Sequence, residues 1–178
     1  VRIARAARTA VFPASFLLVA AMNPCPCGFL GHSMRECRCS PLQIQRYRNR
    51  ISGPLHDRID LTVEVPAVPL SALTVAPTGE SSAIVRERVV EARARQAARF
   101  QDTPVRVNAA LHGRALRLHC ELDAKGCRLL EAAIRRLALS ARGYDRVLKV
   151  ARTIADLANA AQIDATHIAE ALQYRGTE

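Results

Sequence analysis

The stretch Cys25-Pro26-Cys27 is followed ten residues later by Cys37-Arg38-Cys39, which places four cysteines within fifteen residues. Two Cys-x-Cys clips separated by a short loop can bring four thiolates to one point, and this is the ligand set of a closed tetrahedral zinc site. Reduced surface thiols or disulfides are the alternatives at this stage. The sequence predicts a structural Zn²⁺ ion bound by Cys25, Cys27, Cys37 and Cys39.

The residues on either side of the cysteines predict that they form an insertion at 23–40 in a larger fold. The short apolar run 15–22 is typical of a buried strand, and Asn23-Pro24 ends it. After the cysteines, Ser40 to Gln43 predicts the start of a helix over 41–51. Ser40 can cap it, Pro41 suits its first position, and Gln43 completes a capping box.

The middle of the chain predicts a second strand and a long helix. Apolar and polar residues alternate over 59–65, which indicates a strand with one polar face. Prolines mark a connection after it. An amphipathic helix is predicted from about Ser82 to Phe100, with its inward face formed by Val85, Val89 and Ala92.

The last third of the chain is predicted to be a compact helical bundle. Three helices are expected to begin at Asp123, Ser140 and Asp164, each of which can cap the helix that follows it. Cys120 and Cys127 lack the spacing of metal ligands and are expected to be small core residues.

Composition and charge limit the classes of protein and partner. The chain has 178 residues and a formal net charge of +10, which allows contact with nucleic acid, nucleotide phosphates or an acidic partner. No apolar run approaches 18 residues, so no membrane span is expected. Pro13 and a strand-length apolar run argue against a signal peptide, which makes a cytoplasmic location the expectation. The chain does not begin with Met, which indicates a fragment.

Four polar residues are candidates for phosphate chemistry, and each has a simpler explanation. Asn23 follows a predicted strand, where an amide could orient a water, although Asn-Pro also forms ordinary turns. Arg58 precedes the second predicted strand, and it is either a surface charge or a trans-acting arginine finger on a γ-phosphate. Arg142 and Arg146 lie one turn apart on a helix, either as a solvated face or as a phosphate sensor.

Several blocks of the sequence resemble the C-terminal part of the magnesium-chelatase-like AAA+ ATPases of the ComM/YifB type. The resemblance covers nearly the whole chain, and its most specific blocks are Phe12 to Phe16, Ala21-Met22-Asn23-Pro24-Cys25-Pro26-Cys27-Gly28, Arg50 to Pro54, Asp57-Arg58-Ile59-Asp60, Ser140 to Arg142, Val147 to Leu157 and Ala171 to Arg175.

The resemblance implies a role for each candidate residue. Asn23 matches the sensor-1 position and Arg58 the arginine finger that reaches the nucleotide of the next subunit. Arg142 matches sensor 2, with Arg146 as the reserve candidate. The four cysteines fall where ComM-type members carry a cysteine-rich insertion.

The fold class implied is α/β. Residues 1–68 would be the C-terminal half of an AAA+ P-loop core with a partial sheet, 69–104 a connection with an amphipathic helix, and 105–178 an all-α helical lid.

The function implied is that of a hexameric ATP-dependent DNA helicase that promotes branch migration in natural transformation. Two alternatives stay open: a chelatase-like remodelling ATPase that does not act on DNA, and a non-enzymatic zinc-containing module that binds nucleic acid through its arginines. No phosphate loop and no pair of magnesium-binding acids occur in the 178 residues. ATP and Mg²⁺ are therefore expected only with the full-length protein, and the fragment alone is not expected to hydrolyse ATP.

Overall fold

The computed structural model describes residues 2–5, 8–14, 16–32, 34–68, 74 and 79–175. The chain divides into two compact units, residues 1–50 and residues 51–178. The functional boundaries expected at 68 and 104 stay predictions. Among the helices in the described part of the chain, none combines the length and the apolar composition that crossing a membrane requires.

The first unit contains a hairpin, a cysteine-rich loop and one helix. Strands β1 (Arg2–Arg5) and β2 (Arg8–Val11) pair antiparallel, with Arg2 opposite Val11. Helix α1 (Pro41–Arg48) begins where the sequence predicts, because the capping box forms: Gln43 N–H donates to Ser40 Oγ at 3.3 Å, and Ser40 N–H to Gln43 Oε1 at 2.8 Å. The helix ends at Arg48 and not at residue 51.

The predicted buried strand at 15–22 is wrong for residues 16–22, which form no strand and lie at the surface. Ser15 lies outside the described residues. Leu17 is 89% exposed and Val19 is 83% exposed. A strand is stabilised by a neighbour that accepts and donates its backbone hydrogen bonds. In the described part of the chain, no strand pairs with this run.

The second predicted strand, at 59–65, is also wrong. These residues are not in a strand, and no ladder forms along them among the residues described. Instead, Thr62 N–H donates to Tyr174 O at 2.8 Å, which connects this segment to the residues after the last helix. The described residues thus form a mixed, helix-rich chain whose sheet is the two-stranded hairpin, and the partial sheet of an AAA+ core stays a prediction.

The second unit is helical and contains the core. Its helices are α2 (Gly53–His56), α3 (Ser82–Arg99), α4 (Gly113–His119), α5 (Ala124–Arg136), α6 (Ala141–Leu157) and α7 (Ala165–Gln173), with a 3₁₀ turn at Asn108–Ala110. The predicted bundle is confirmed, since Asp123, Ser140 and Asp164 each cap the helix that follows. Helix α4 was not predicted, because seven residues give little periodic signal.

The bundle core is formed by the apolar faces of α5, α6 and α7. Leu130, Val147 and Ile168 are each at most 2% exposed. The predicted inward face of α3 is only partly right, because Ala92 is buried but Val85 and Val89 are 41% and 45% exposed. The buried positions of α3 lie one to three turns later, where the helix packs on α6.

A buried ionic network joins α3, α6 and the 3₁₀ turn. The carboxylate of Asp156 is fully buried and accepts from Arg99 Nη1 at 2.9 Å and from Asn108 Nδ2 at 2.8 Å. Arg152 Nη2, itself buried, lies 3.1 Å from Asp156 Oδ1. Burial raises the pKa of Asp156, but these donors outweigh it and hold the pKa below its usual range.

We expect Asp156→Ala to lower the free energy of unfolding of the chain by about 3–5 kcal/mol, because it leaves Arg152 buried without a counter-charge. Urea denaturation followed by helical circular dichroism measures this loss. The control is Glu131→Ala, which removes a surface pair with Arg135 whose side chains are 65% and 79% exposed. A control variant destabilised as strongly as Asp156→Ala would contradict the role of the network.

Candidate functional site

The four cysteines of the predicted metal site come together in the first unit. Their Sγ atoms all lie within 4.8 Å of one another. Cys25 Sγ lies 3.4 Å from Cys27 Sγ and 3.7 Å from Cys37 Sγ, and the Cys27–Cys37 separation is 3.6 Å. All four are free thiols, so the disulfide alternative does not describe this structure.

This geometry fits a tetrahedral metal centre. Zn–S bonds of about 2.3 Å place neighbouring sulfurs of a regular tetrahedron roughly 3.8 Å apart. The measured separations of 3.4–3.7 Å are close to that value. A sharp turn at the first clip makes the approach possible, in which Gly28 has a φ of +82° and donates its N–H to Cys25 O at 3.0 Å. The donor set of four thiols suits Zn²⁺.

The protonation of the thiols is consistent with a site for a cation. The backbone N–H groups of Phe29 and Arg38 donate to the Cys27 sulfur and lower its pKa to about 6. The N–H of Cys39 lowers the pKa of Cys37, but desolvation and the adjacent thiols raise it to about 12. Four sulfurs this close cannot all ionise without a positive charge between them.

The two remaining cysteines differ from each other. Cys120 is 3% exposed and belongs to the bundle core, as predicted. The same prediction is wrong for Cys127, which is exposed. It lies in the first turn of α5.

Asn23 lies beside the cysteine-rich loop. Its side chain is exposed, and a Cβ placed on Gly28 would lie 3.7 Å from Asn23 Nδ2. The amide is therefore next to the turn of the first Cys-x-Cys clip. Its role as sensor 1 stays a prediction.

Arg58 lies on an exposed turn at the end of α2. Its Nη1 donates to Pro54 O at 2.8 Å, which is the one side-chain hydrogen bond that the described residues give it. The residue as a whole is exposed. The segment that follows is fixed to the bundle, because Asp60 Oδ1 lies 2.7 Å from Arg146 Nε and Ile59 O accepts from Arg175 Nη1 at 2.8 Å.

The two arginines of α6 are not equivalent. Arg142 lies in the first turn of the helix and is exposed, and it forms no ion pair with any described residue. Arg146 is one turn later and is half-buried against Asp60. The structure thus leaves Arg142 available for a ligand and gives Arg146 a protein partner.

Arg175 and Asp60 position the Arg58 segment, and sequence reasoning gave neither of them a role. Arg175 is 7% exposed, and besides its bond to Ile59 it lies 3.8 Å from Asp57 Oδ1. These contacts span 116 and 86 residues of sequence. Local spacing carries no signal for pairs so far apart. One indirect indication was present, since Asp60 and Arg175 both lie in the blocks that carry the family resemblance.

Two adjoining family models match the chain. Residues 1–73 match the model described as "Magnesium chelatase, subunit ChlI", and residues 79–175 match "Magnesium chelatase, subunit ChlI C-terminal". Together they cover both units.

Similar proteins are found in several bacteria. The competence protein ComM of Haemophilus influenzae is 47% identical over 174 residues, 97% of this chain and 33% of that protein. YifB of Salmonella typhimurium is 42% identical over 179 residues, 100% of the chain and 34% of that protein. An uncharacterized protein of Mycobacterium tuberculosis is 38% identical over 177 residues, 99% of the chain and 35% of that protein. The chain thus spans about a third of the length of the curated relatives it matches, and it belongs to the magnesium chelatase ChlI family, in its ComM/YifB-like branch.

Proposed function

We propose that this chain provides the arginine finger and the helical lid of an AAA+ ATPase of the ComM type that acts on DNA. The whole protein would be a hexameric cytoplasmic helicase that promotes branch migration during natural transformation. The observation that carries the proposal is the position of Arg58, exposed on a segment that Arg146 and Arg175 fix to the helical bundle. The 47% identity to a competence protein supports the choice of DNA.

Arg58 acts as the finger. An arginine finger has to project from a rigid support, so that its guanidinium reaches the phosphate of the neighbouring subunit at little entropic cost. The exposed guanidinium of Arg58 can donate to the oxygens of a γ-phosphate, on which negative charge develops during hydrolysis. When bound, ATP with Mg²⁺ supplies that γ-phosphate.

Asn23 and Arg142 act as the two sensors. The amide of Asn23 orients a water molecule toward the phosphate. Arg142 donates to phosphate oxygens from the first turn of α6, where the helix dipole also favours an anion. We assign sensor 2 to Arg142 in preference to Arg146, because the pair with Asp60 at 2.7 Å already neutralises Arg146.

The contacts of the Arg58 segment couple the finger to the lid. Asp60 bonds to α6, while Ile59 and Thr62 bond to residues that directly follow α7. A displacement of these helices on hydrolysis would therefore move Arg58 with them. The cysteine site takes no part in hydrolysis, and a zinc ion held by its four thiolates would brace the loop next to Asn23.

A chelatase-like ATPase that remodels a protein is the second candidate, because both matching family models are named for magnesium chelatase. The same finger and sensors would serve it, but DNA would not be its substrate. The substrate therefore has to be tested separately from the hydrolysis.

We expect the complete protein that contains residues 1–178 to hydrolyse ATP faster in the presence of DNA. We also expect it to move the branch point of a three-stranded DNA substrate when ATP is present. Steady-state hydrolysis with and without DNA measures the first, and gel-resolved strand exchange the second. A protein that hydrolyses ATP but responds to no DNA structure would favour the remodelling ATPase.

A further inference from the structure

The positive charge of the chain is concentrated in its first unit. Residues 1–50 contain eight arginines and a single acidic residue, Glu36. The remaining 128 residues contain 18 Lys and Arg against 15 Asp and Glu. The ion pairs of the described residues all lie beyond position 56, so none of them neutralises this charge.

Part of this charge lines an open cleft of about 670 Å³ beside the cysteine site. One wall is the cysteine-rich loop, including Cys27, Arg38 and Cys39. The other wall is the face of α1 and the turn after it that carries Gln43, Arg46, Tyr47 and Arg50. The capping box at Ser40 starts α1 directly after Cys39, and this fixes the helix against the loop.

Arginines that have a similar local sequence differ in whether they line the cleft. Arg46 in the last turn of α1 and Arg50 in the turn that follows the helix both line the cleft. Arg38 faces them from the loop, whereas Arg48 is exposed and does not line the cleft. A Zn²⁺ ion held by four thiolates would leave a net charge of about −2, which two arginines can balance. The eight arginines of residues 1–50 exceed this charge together with that of Glu36, so positive charge remains to meet an external anion.

We propose that this cleft binds the phosphodiester backbone of a nucleic-acid strand, with Arg38, Arg46 and Arg50 contacting successive phosphates. Guanidinium groups pair with phosphate oxygens through two parallel hydrogen bonds. The half-buried ring of Tyr47 lies between the arginines and offers a surface on which a base can stack. The metal centre holds the loop wall in place. This inference deepens the proposed function, because it rests on nucleic acid being the substrate.

The test compares Arg46→Gln/Arg50→Gln with the matched control Arg48→Gln in the full chain. The probe is a fluorescent thymidine oligonucleotide, titrated at salt concentrations from about 50 to about 200 mM. We expect the double variant to bind about 10-fold more weakly at the lowest salt, and its log affinity to depend on log salt with a slope smaller by about 1.4. Arg48→Gln is expected to match the wild type.

Two further measurements keep the outcome decisive. The zinc content of each variant shows whether the first unit has folded, and the single variants replace the double variant if it has not. Equal losses of oligonucleotide affinity in the double variant and in Arg48→Gln would contradict the cleft as the binding site. Wild-type affinity in the double variant would contradict it as well. If the wild type binds ATP saturably and the double variant does not, the cleft would be a site for a free nucleotide, and this would contradict the proposal of a nucleic-acid strand. The titration needs no ATP hydrolysis, so a failure of the Arg58 assignment leaves its result unaffected.

Discussion

The substitution Arg58→Ala is expected to lower the rate of ATP hydrolysis of the complete protein by about 10³-fold or more, since arginine fingers contribute 10³–10⁵-fold to turnover. The physical reason is the loss of a guanidinium that stabilises charge developing on the γ-phosphate. Nucleotide binding should change much less, because the finger acts mainly in the transition state. Steady-state turnover and equilibrium binding of a nucleotide analogue separate the two effects.

Two variants sharpen this prediction. Arg58→Lys keeps the positive charge but loses the planar fork of donors, so we expect it to recover only a small part of the rate. Arg135→Ala removes a guanidinium that is 79% exposed and pairs at the surface with Glu131, and it should leave the rate unchanged. Hydrolysis that survives Arg58→Ala within a factor of about two would remove Arg58 from the mechanism.

The second large effect is expected from Cys25→Ser. Cys25 is the fully buried member of the four-thiol cluster, and a hydroxyl is a far poorer zinc ligand than a thiolate. Changes that touch only the surroundings of a metal site weaken binding by about 10–100-fold, so the loss of a ligand should exceed 100-fold. Since a structural zinc contributes folding free energy directly, the first unit should also become sensitive to proteases.

The matched control is Cys127→Ser, which removes an exposed thiol outside the cluster. It should keep one zinc per chain and wild-type resistance to proteolysis. Zinc content by mass spectrometry of the native protein, together with thiol titration, measures both variants. A wild-type chain purified without metal, with four freely reactive thiols in the first unit, would contradict the metal centre.

The helical bundle and the clustering of the four cysteines could be predicted from sequence because their signals are local. Capping residues such as Ser140 and Asp164 mark helix starts within one turn, and apolar residues repeat at the helical period. The two Cys-x-Cys clips are likewise a local pattern, and the loop between them is short enough to bring the sulfurs together.

The predictions of strands at 15–22 and 59–65 failed for the described residues 16–22 and 59–65. A strand depends on a hydrogen-bonding partner, and the periodicity of one segment does not reveal whether that partner is present. The apolar run at Leu17 and Val19 has the composition of a buried strand, yet both side chains are more than 80% exposed. The alternating run at 59–65 forms no ladder with a described strand, and Thr62 N–H donates instead to Tyr174 O.

The contacts that hold the segment around Arg58 also could not be predicted from the sequence. Asp60 meets Arg146, and Ile59 meets Arg175, over 86 and 116 residues of chain. By local pattern, Asp60, Arg146 and Arg175 are ordinary surface charges. Their contacts with the segment around Arg58 become visible only in the packing of α6 and α7.

The most direct test of the central claim, that Arg58 acts across an interface between subunits of a ring, is ATP hydrolysis in mixtures of two variants of the complete protein, Arg58→Ala and Asn23→Ala, each of which should be inactive alone. If each finger completes the site of its neighbour, an Arg58→Ala subunit that receives the finger of an Asn23→Ala subunit forms an intact site. An equal mixture should therefore recover about a quarter of the wild-type activity. Stable mixed rings that recover no activity would contradict the account.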